Sequence, residues 1–281
     1  MFQERSLALE TGASLNIARS SVEDPELILF HGLIRQWQDF APFLPFVAGR
    51  WNLAAVDHRG HGKSARSAGA YRVVDYANDA ARVVRNIATK PVTIYGHSLG
   101  ALTAIAAAVA NQELVRGIVL EDPLTSSFLE GIANTNYGVT WRAMRDLAGQ
   151  NRTIPETTKA LAAIQLPNGR TLGEVRDPIA LRFLAKCLAG LDPQTLTTAL
   201  GGDWLAGFDM IALAKKVRCP VLLLAGDPAA GSMLPTVDAD ELASTFIDAC
   251  RVDFPGLGHL LHGEHPTAVA QVVLPFLESL E

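Results

Sequence analysis

The sequence predicts an α/β fold built on a doubly wound, mostly parallel sheet that carries an inserted helical segment. The first observation is a series of continuous apolar runs, the pattern typical of strands that are buried on both faces of a parallel sheet. These runs are 27–30, 53–56, 92–95, 118–120 and 221–224. The second observation is that helical patterns separate most of the runs, and this alternation is typical of doubly wound sheets.

The composition bounds the class of protein. The chain has 281 residues, of which 49% are hydrophobic and 19% are charged. A chain of this length can bury about 75% of its unfolded surface around one large core. The formal net charge of -5 shows no excess of basic residues that would attract a phosphate backbone, so we expect no nucleic-acid partner.

The sequence also lacks the signals of membrane insertion and secretion. No stretch reaches the roughly 18 apolar residues that a membrane span requires, and charges interrupt residues 1–10 where a secretory signal needs an apolar core. The three cysteines are widely spaced and odd in number, which fits a reducing compartment better than a disulfide framework. We therefore expect a cytoplasmic protein with no membrane partner, and the sequence leaves its oligomeric state open.

An N-terminal hairpin precedes the alternating segments. Residues 4–9 and 14–19 form two short, partly alternating segments that Thr11-Gly12-Ala13 separates, the pattern of an antiparallel hairpin. Helices are then expected between the apolar runs, with a short strand and a last helix near the end of the chain. The predicted helices are 40–48, 73–88, 99–110, 239–249 and 266–280, and the short strand is 251–254.

The alternation stops between Pro123 and Phe208, where helical signals continue without a strand. We therefore divide the chain into an α/β core of residues 1–123 and 207–281 and a helical cap of residues 124–206. A segment inserted between two strands of the sheet is well placed to cover the carboxyl edge of that sheet. Ligands bind at this edge in doubly wound folds.

The most specific motif is the pentapeptide Gly96-His97-Ser98-Leu99-Gly100, which follows a predicted strand and precedes an alanine-rich helix. This G-x-S-x-G pattern in a strand, turn and helix context is that of a nucleophile elbow. The glycines permit close packing around a strained turn that exposes the serine. Ser98 is therefore the candidate nucleophile, and the backbone N–H of Leu99 is a candidate donor to an oxyanion.

A serine nucleophile needs a general base and a second oxyanion donor. The glycine-rich segment 255–259 follows the last predicted strand and makes His259 the candidate base. His31-Gly32 follows the first buried strand, so the N–H of Leu33 is the candidate second donor, with Gly32 allowing close backbone approach.

These motifs together resemble the α/β-hydrolase superfamily. The resemblance covers nearly all of the chain except the insertion, which looks like the helical cap of that family. The matching segments, in family order, are His31-Gly32, the run Asp57-His58-Arg59-Gly60-His61-Gly62-Lys63-Ser64, the Ser98 elbow and Gly258-His259. The resemblance implies an α/β-hydrolase fold and a Ser, acid, His triad beneath a lid, with Ser98 as nucleophile and His259 as base.

The acid of the triad is where the sequence departs from the commonest family pattern. That pattern places the acid as G-x-x-D after the strand 221–225, and here Ala229 occupies the position while Asp227 lies two residues earlier. A second arrangement, found in some lipases and haloalkane dehalogenases, places the acid after the preceding strand of the sheet, which points to Asp122. We favour Asp122 and keep Asp227 as the alternative, since either can also serve as a strand-end turn residue.

Cofactor and metal motifs are weak. Residues 62–64 resemble the end of a phosphate-binding loop, but the required first glycine falls on Asp57. The histidines and acids at 57–61 and 259–265 match no recognised metal spacing, and strand-end polar residues usually bond local backbone. We expect no cofactor and no metal, and we expect His262 and His265 at the surface or at a helix start.

The aromatic residues of the insertion are mostly expected in its core, with a few facing the substrate. Phe128, Trp141 and Trp204 are the candidates for substrate binding, above Leu33 and Leu99. No arginine or lysine of the insertion stands out as a carboxylate clamp, which favours a neutral, apolar acyl or alcohol group.

The function predicted is a cofactor-independent serine hydrolase, of carboxylesterase or lactonase type, acting on a small, largely apolar ester or related acyl compound. An acyl-enzyme on Ser98 would be its intermediate. Two alternatives remain: a hydrolase-like ligand-binding or signalling protein with little turnover, and a lyase or perhydrolase on the same triad. Motifs do not separate ester, lactone, amide, carbamate and carbon–carbon bond hydrolysis, which differ in pocket shape.

Overall fold

One mixed sheet organises the molecule. The computed structural model describes residues 2–10, 12–21 and 23–281, so Thr11 of the predicted hairpin turn lies outside the described residues. The strands are β1 Gln3–Ala8, β2 Ser14–Arg19, β3 Leu27–Phe30, β4 Leu53–Val56, β5 Val92–His97, β6 Val115–Glu121, β7 Val221–Gly226 and β8 Ala249–Phe254. Their order in the sheet is β1-β2-β4-β3-β5-β6-β7-β8.

Strand direction follows the prediction. β1 pairs antiparallel with β2, and β2 pairs antiparallel with β4. From β4 to β8 each neighbouring pair is parallel. The predicted doubly wound, mostly parallel sheet is confirmed, and strands β3, β4, β5 and β7 are buried along their whole length.

Helices cover both faces of the sheet and fill the interval between β6 and β7. They are α1 Leu44–Val47, α2 Val73–Ile87, α3 Leu99–Ala110, α4 Ser126–Gly131, α5 Asn136–Leu147, α6 Ile154–Ala162, α7 Leu172–Val175, α8 Pro178–Gly190, α9 Pro193–Leu200, α10 Met210–Ala214, α11 Thr236–Thr245, α12 Leu261–Glu264 and α13 Pro266–Glu278. Short 3₁₀ turns occupy Trp37–Phe40, Ile132–Asn134 and Pro228–Ala230. Among the described residues, no helix combines the length and apolarity needed to cross a membrane.

The two faces of the sheet bury separate apolar clusters. Side chains of α2, α3, α10 and α11 pack on one face. Those of α1 and α13 pack on the other. Because apolar groups cover both faces, the strands β3 to β7 carry the continuous apolar runs from which they were predicted.

Two boundaries differ from the prediction. The helix expected over 40–48 is a 3₁₀ turn at Trp37–Phe40 followed by the short α1. Pro42 and Pro45 explain the break, because proline supplies no backbone N–H to a continuing helix and is tolerated only in its first turn. The helix expected over 239–249 is α11, which begins and ends earlier, and β8 begins at Ala249 where it pairs with Val221.

The segment between β6 and β7 lies over the carboxyl edge of the sheet. A single apolar cluster joins Leu33 and Leu99 of the core to side chains of this segment. Those of the segment that are almost fully buried include Trp141, Leu161, Leu181, Leu188, Leu196 and Trp204. The helical segment and the core therefore share one hydrophobic interior at the end of the sheet where the candidate site lies.

Helix α8 provides a matched test of this shared interior. Leu188 is 1% exposed within the cluster, whereas Ile179 on the same helix is 78% exposed. We expect Leu188→Ala to lower the free energy of unfolding by about 2–5 kcal/mol, because it leaves a cavity. Ile179→Ala should change it by no more than about 0.5 kcal/mol. Urea unfolding followed by circular dichroism measures both, and equal losses in the two variants would contradict the packing described.

Candidate active site

Ser98 occupies a sharp turn between β5 and α3. Its backbone has φ 54° and ψ −116°, and φ in this range is unfavourable for a residue with a side chain. Its N–H donates to the carbonyl oxygen of Glu121 at 2.9 Å, which ties the turn to the end of β6. The sheet therefore stabilises the strained conformation of Ser98, which lies at the carboxyl edge of that sheet.

The two glycines of the motif are required by close approach. A Cβ on Gly96 would lie 2.1 Å from the carbonyl oxygen of Gly100. A Cβ on Gly100 would lie 2.0 Å from the carbonyl oxygen of Phe30 at the end of β3. Any side chain at either position would push α3 away from the sheet, so the pattern follows from packing as well as from the turn.

His259 and Asp122 form a direct pair. The Nδ1–H of His259 donates to Asp122 Oδ2 at 2.6 Å, and the carboxyl is fully buried while 12% of the imidazole is exposed. Asp122 immediately follows β6 and has φ 44°. His259 lies in the loop between β8 and α12, so the two groups come from strand ends separated in the sheet by β7.

Further donors compensate the buried carboxylate. Asp122 Oδ1 accepts from the N–H of Gly226 at 3.0 Å and from the hydroxyl of Ser232 at 2.5 Å. Asp122 Oδ2 also accepts from the N–H of Met233 at 2.8 Å. A charge removed from water needs such partners, and together with His259 they hold the carboxylate in one orientation.

Asp227, the alternative acid, makes different contacts. Its carboxylate accepts from the N–H of Ala229 at 2.8 Å and from the N–H of Gly256 at 2.9 Å. The hydrogen bonds from Gly256 and Ala229 lower the pKa of this carboxyl. The structure does not bring Asp227 to His259, and the side chain instead ties together the loops after β7 and β8.

The Ser98 hydroxyl forms no hydrogen bond within the described residues. Candidate catalytic hydrogen bonds are often long in a ligand-free enzyme and tighten only with substrate. The loop after β3 lies beside the serine, since a Cβ on Gly32 would be 3.2 Å from the Cβ of Ser98.

The two candidate oxyanion donors are backbone groups of buried residues. Leu33 is 7% exposed and Leu99 is 0% exposed. Neither backbone N–H donates to an acceptor in the described part of the chain. Buried N–H groups are rarely left without a hydrogen-bond acceptor. The unpaired N–H groups of Leu33 and Leu99 are therefore candidates to bind an oxygen next to Ser98.

The aromatic residues predicted for the pocket have different surroundings. Trp141 and Trp204 are buried and meet edge to face, with ring centroids 6.1 Å apart. They belong to the cluster that contains Leu33 and Leu99. Phe128 is half-buried and packs against Tyr137, with ring centroids 5.8 Å apart.

Sequence reasoning missed Tyr137 as a site residue. Its ring centroid lies 6.0 Å from that of His259, and its hydroxyl donates to the carbonyl oxygen of Gly231 at 2.6 Å. Tyr137 lies on α5, which joins the insertion to the candidate site. Nothing local distinguishes this tyrosine from the packing aromatics around it.

A second buried cluster lies next to the His259–Asp122 pair. His262 Nδ1 lies 2.9 Å from both carboxylate oxygens of Glu121, and its Nε2 lies 3.5 Å from Asp39 Oδ2. Tyr95 donates its hydroxyl to Glu121, and Arg35 lies 3.6 Å from Asp39. His262 lies at the start of α12, as expected for a helix-start residue, but the expectation of a surface position is wrong, because its side chain is fully buried between two carboxylates.

The charges of this cluster stabilise one another. Burial lowers the pKa of His262, but the charge of Glu121 and the contacts with Asp39 and Glu121 outweigh burial and raise that pKa to about 9. Burial likewise raises the pKa of Glu121, but His262 outweighs it and brings the pKa to about 2. His262 is therefore an imidazolium ion at neutral pH.

His97 connects this cluster to the candidate site. Its Nε2–H donates to the carbonyl oxygen of His259 at 3.0 Å. Burial lowers the pKa of His97 to about 3, so the ring is neutral beside the charged His262. His97, the residue that precedes Ser98, therefore helps to fix the loop that carries His259.

Stability should depend on pH through His262. Its folded pKa of about 9 exceeds the ordinary value of 6.5, so its stabilising contribution is complete below pH 6.5 and is lost as the pH rises through 9. The ring of His262 faces two carboxylates, those of Glu121 and Asp39. The other groups around the cluster carry no negative charge at neutral pH: His97 and Tyr95 are neutral, and Arg35 is a cation that pairs with Asp39.

The variant His262→Gln tests this contribution. We expect the difference in Tm between the wild type and this variant to be largest below pH 6.5 and to shrink as the pH rises through 9. Thermal unfolding at a series of pH values measures it. A difference that stays constant from pH 6 to pH 10 would show that His262 is not charged in the folded protein.

Comparison with known proteins identifies the family of the chain. The model of the alpha/beta hydrolase family matches residues 27–272. The chain is 36% identical over 274 residues to the 2-(acetamidomethylene)succinate hydrolase of Mesorhizobium japonicum, covering 95% of this chain and 92% of that protein. It is 26% identical over 265 residues to a serine hydrolase-like protein of Danio rerio, covering 90% of this chain and 81% of that protein.

A solved structure shows the same fold. The crystal structure of E-2-(acetamidomethylene)succinate hydrolase superposes with a TM-score of 0.79 at 22% identity, over 99% of this chain and 100% of the other. The sheet, the strained serine turn and the family match together define an α/β hydrolase. The chain belongs to the alpha/beta hydrolase family, and it is a hydrolase.

Proposed function

We propose that the chain is a cofactor-independent serine hydrolase that cleaves a small acyl compound through an acyl-enzyme on Ser98. The observation that carries this proposal is the 2.6 Å hydrogen bond between His259 and the buried Asp122, at the same edge of the sheet as the Ser98 turn. A histidine held by a carboxylate beside a serine on a strained turn is the arrangement that activates a hydroxyl nucleophile.

The first half of the reaction forms the acyl-enzyme. His259 Nε2 takes the hydroxyl proton of Ser98 while Ser98 Oγ attacks the carbonyl carbon of the substrate. Asp122 keeps the other imidazole proton on Nδ1 and stabilises the imidazolium that forms. The N–H groups of Leu33 and Leu99 receive the oxyanion, and His259 then gives its proton to the leaving group.

The second half returns the free enzyme. Water attacks the acyl carbon, His259 takes a proton from this water, and the oxyanion returns to the same two N–H groups. Collapse of the second intermediate breaks the bond to Ser98 Oγ, which recovers its proton from His259. The products are a carboxylic acid and the alcohol or amine released in the first half.

The surroundings of the site support a small, largely apolar acyl group, as in a carboxylesterase or lactonase. Leu33, Leu99, Trp141 and Trp204 belong to one apolar cluster at the serine end of the sheet. Apolar walls with a few convergent polar groups are the usual surroundings of a small ligand.

The two aspartates provide a matched test of the mechanism. We expect Asp122→Asn to lower kcat by about 10⁴, because the imidazole loses the partner that fixes its tautomer. Asp227→Asn should leave kcat within about threefold of the wild type, since Asp227 bonds only to backbone N–H groups of loops. Steady-state hydrolysis of p-nitrophenyl acetate measures both.

Covalent labelling by a fluorophosphonate provides the control for identity of the nucleophile. Intact mass and peptide mapping should show one adduct, on Ser98, in the wild type and in Asp227→Asn, and none in Ser98→Ala. An active wild type with its adduct elsewhere, or a slow Asp227→Asn beside a normal Asp122→Asn, would contradict the assignment.

One relative favours a second candidate substrate, a small amide that bears carboxylates. The hydrolase from Mesorhizobium japonicum has a substrate name that contains an acetamide and a succinate. Arg35 directly follows Ile34 in the loop beside Ser98, and 20% of its side chain is exposed. It also acts electrostatically on Tyr137, whose ring packs against His259. Arg35 belongs to the core, so a search of the insertion for a carboxylate clamp does not find it.

Arg35→Gln separates the two substrate classes. If a carboxylate binds Arg35, the variant should raise KM for a carboxylate-bearing N-acetyl enamine by about 10-fold to 100-fold, the loss of one charge-assisted hydrogen bond. The KM for a neutral ester should change much less. Arg50→Gln, on an exposed arginine paired with Glu278, is the matched control. Equal effects of Arg35→Gln on both substrates would exclude a carboxylate clamp at this residue.

A further inference from the structure

The loop that carries the N–H of Leu33 is strained. Ile34, the next residue, has φ 70°, a conformation that a β-branched side chain rarely adopts. Ile34 is 5% exposed and belongs to the apolar cluster between the insertion and the core. A conformation of this kind persists only where surrounding contacts determine it, so the contacts of the two peptide groups next to Leu33 are informative.

The peptide group between Gly32 and Leu33 is fixed through its carbonyl. The oxygen of Gly32 accepts from His31 Nδ1–H at 2.7 Å and from the N–H of Arg35 at 3.2 Å. In a trans peptide the C=O and the N–H point in opposite directions within one plane. Bonds that hold the Gly32 carbonyl therefore direct the N–H of Leu33 away from His31.

The next peptide group is fixed through its N–H. The N–H of Ile34 donates to His61 Nε2 at 3.2 Å. His61 Nδ1–H in turn donates to the carbonyl oxygen of Arg59 at 2.9 Å, which sets the tautomer that leaves Nε2 as an acceptor. His61 comes from the loop after β4, so a second strand end determines the conformation of the loop after β3.

The imidazoles are themselves held in place. The N–H of His58 donates to His31 Nε2 at 3.1 Å, and His58 Nε2–H donates to the carbonyl oxygen of His31 at 3.0 Å. Arg59 makes two hydrogen bonds of 2.6 Å with Asp79 of α2. The polar residues of this segment therefore bond to backbone and to one another.

All three rings remain neutral at ordinary pH. Burial lowers the pKa of His31 to about 4 and that of His61 to about 3. Burial and the neighbouring histidines hold the pKa of His58 well below its usual value. A protonated His61 would have no lone pair on Nε2 for the N–H of Ile34, so its neutral form is the one that the loop requires.

We propose that His61 is a positioning residue of the oxyanion hole: by accepting the N–H of Ile34, it holds the strained loop so that the N–H of Leu33 faces the oxygen that forms beside Ser98. This inference rests on the proposed serine hydrolase function. His61 touches neither the substrate nor Ser98, and it acts only through the backbone of the loop.

Two substitutions separate the bonds of His61. In His61→Gln the amide oxygen can occupy the place of Nε2 and accept from Ile34. In His61→Asn the amide can occupy the place of Nδ1 and donate to Arg59, but it is too short to reach Ile34. We expect His61→Asn to lower kcat by about 10-fold to 100-fold with KM within about threefold, since loss of an oxyanion donor costs up to about 10³ in kcat. His61→Gln should stay within about fivefold of the wild type.

Binding of a boronic acid distinguishes positioning from general destabilisation. The tetrahedral adduct places an oxygen in the oxyanion hole, so its Ki should rise in His61→Asn by the same factor as kcat/KM falls. The Tm of both variants provides the comparison. If the two variants lower Tm alike but only His61→Asn loses kcat and boronate affinity, the positioning role is supported.

Four outcomes would overturn the inference. Normal kcat and boronate affinity in His61→Asn would exclude the role directly. Equal losses of kcat in both variants would show that His61 acts on the fold and not through Ile34. Absence of fluorophosphonate labelling at Ser98 in the wild type would overturn the proposed function and this role together, whereas labelling of the wild type and of His61→Asn at equal rates would overturn the role alone.

Discussion

The buried carboxylate of Asp122 is the constraint on which the candidate site depends. It receives hydrogen bonds from Gly226 at the end of β7, from Ser232 and Met233 in the following loop, and from His259 after β8. A fully buried charge without these partners would be strongly unfavourable, so folding selects the one arrangement of loops that supplies all of them. The orientation of His259 follows from the same requirement.

Strain and buried charge surround this carboxylate. Among the described residues other than glycine, Ile34, Ser98 and Asp122 have positive φ, and they follow β3, β5 and β6, which are neighbours in the sheet. The N–H of each strained residue donates to a residue at or after the end of another strand: that of Ser98 to Glu121, that of Asp122 to Leu224, and that of Ile34 to His61. Glu121 also pairs with the imidazolium of His262. The proposed catalytic groups are thus preorganised by contacts that involve no substrate.

The features that could be predicted from the sequence are those that depend on residues close together along the chain. The sheet follows from apolar runs, and the Ser98 turn follows from five contiguous residues whose glycines are required by packing. The choice between Asp122 and Asp227 depends on hydrogen bonds from residues 226–233, more than a hundred positions after Asp122, so spacing alone left it open. The burial of the His262 side chain was missed for the same reason, although Glu121 at the end of a buried strand was a signal that a buried cation would be needed. Tyr137 carried no signal of its own.

The central claim is that Ser98 attacks a carbonyl whose oxygen is received by the N–H groups of Leu33 and Leu99. A crystal structure of the protein after reaction with a fluorophosphonate tests it most directly. We predict a phosphorus bonded to Ser98 Oγ, with the phosphoryl oxygen about 2.7–3.1 Å from both backbone nitrogens. An adduct on another residue, or a phosphoryl oxygen turned away from both N–H groups, would contradict the account.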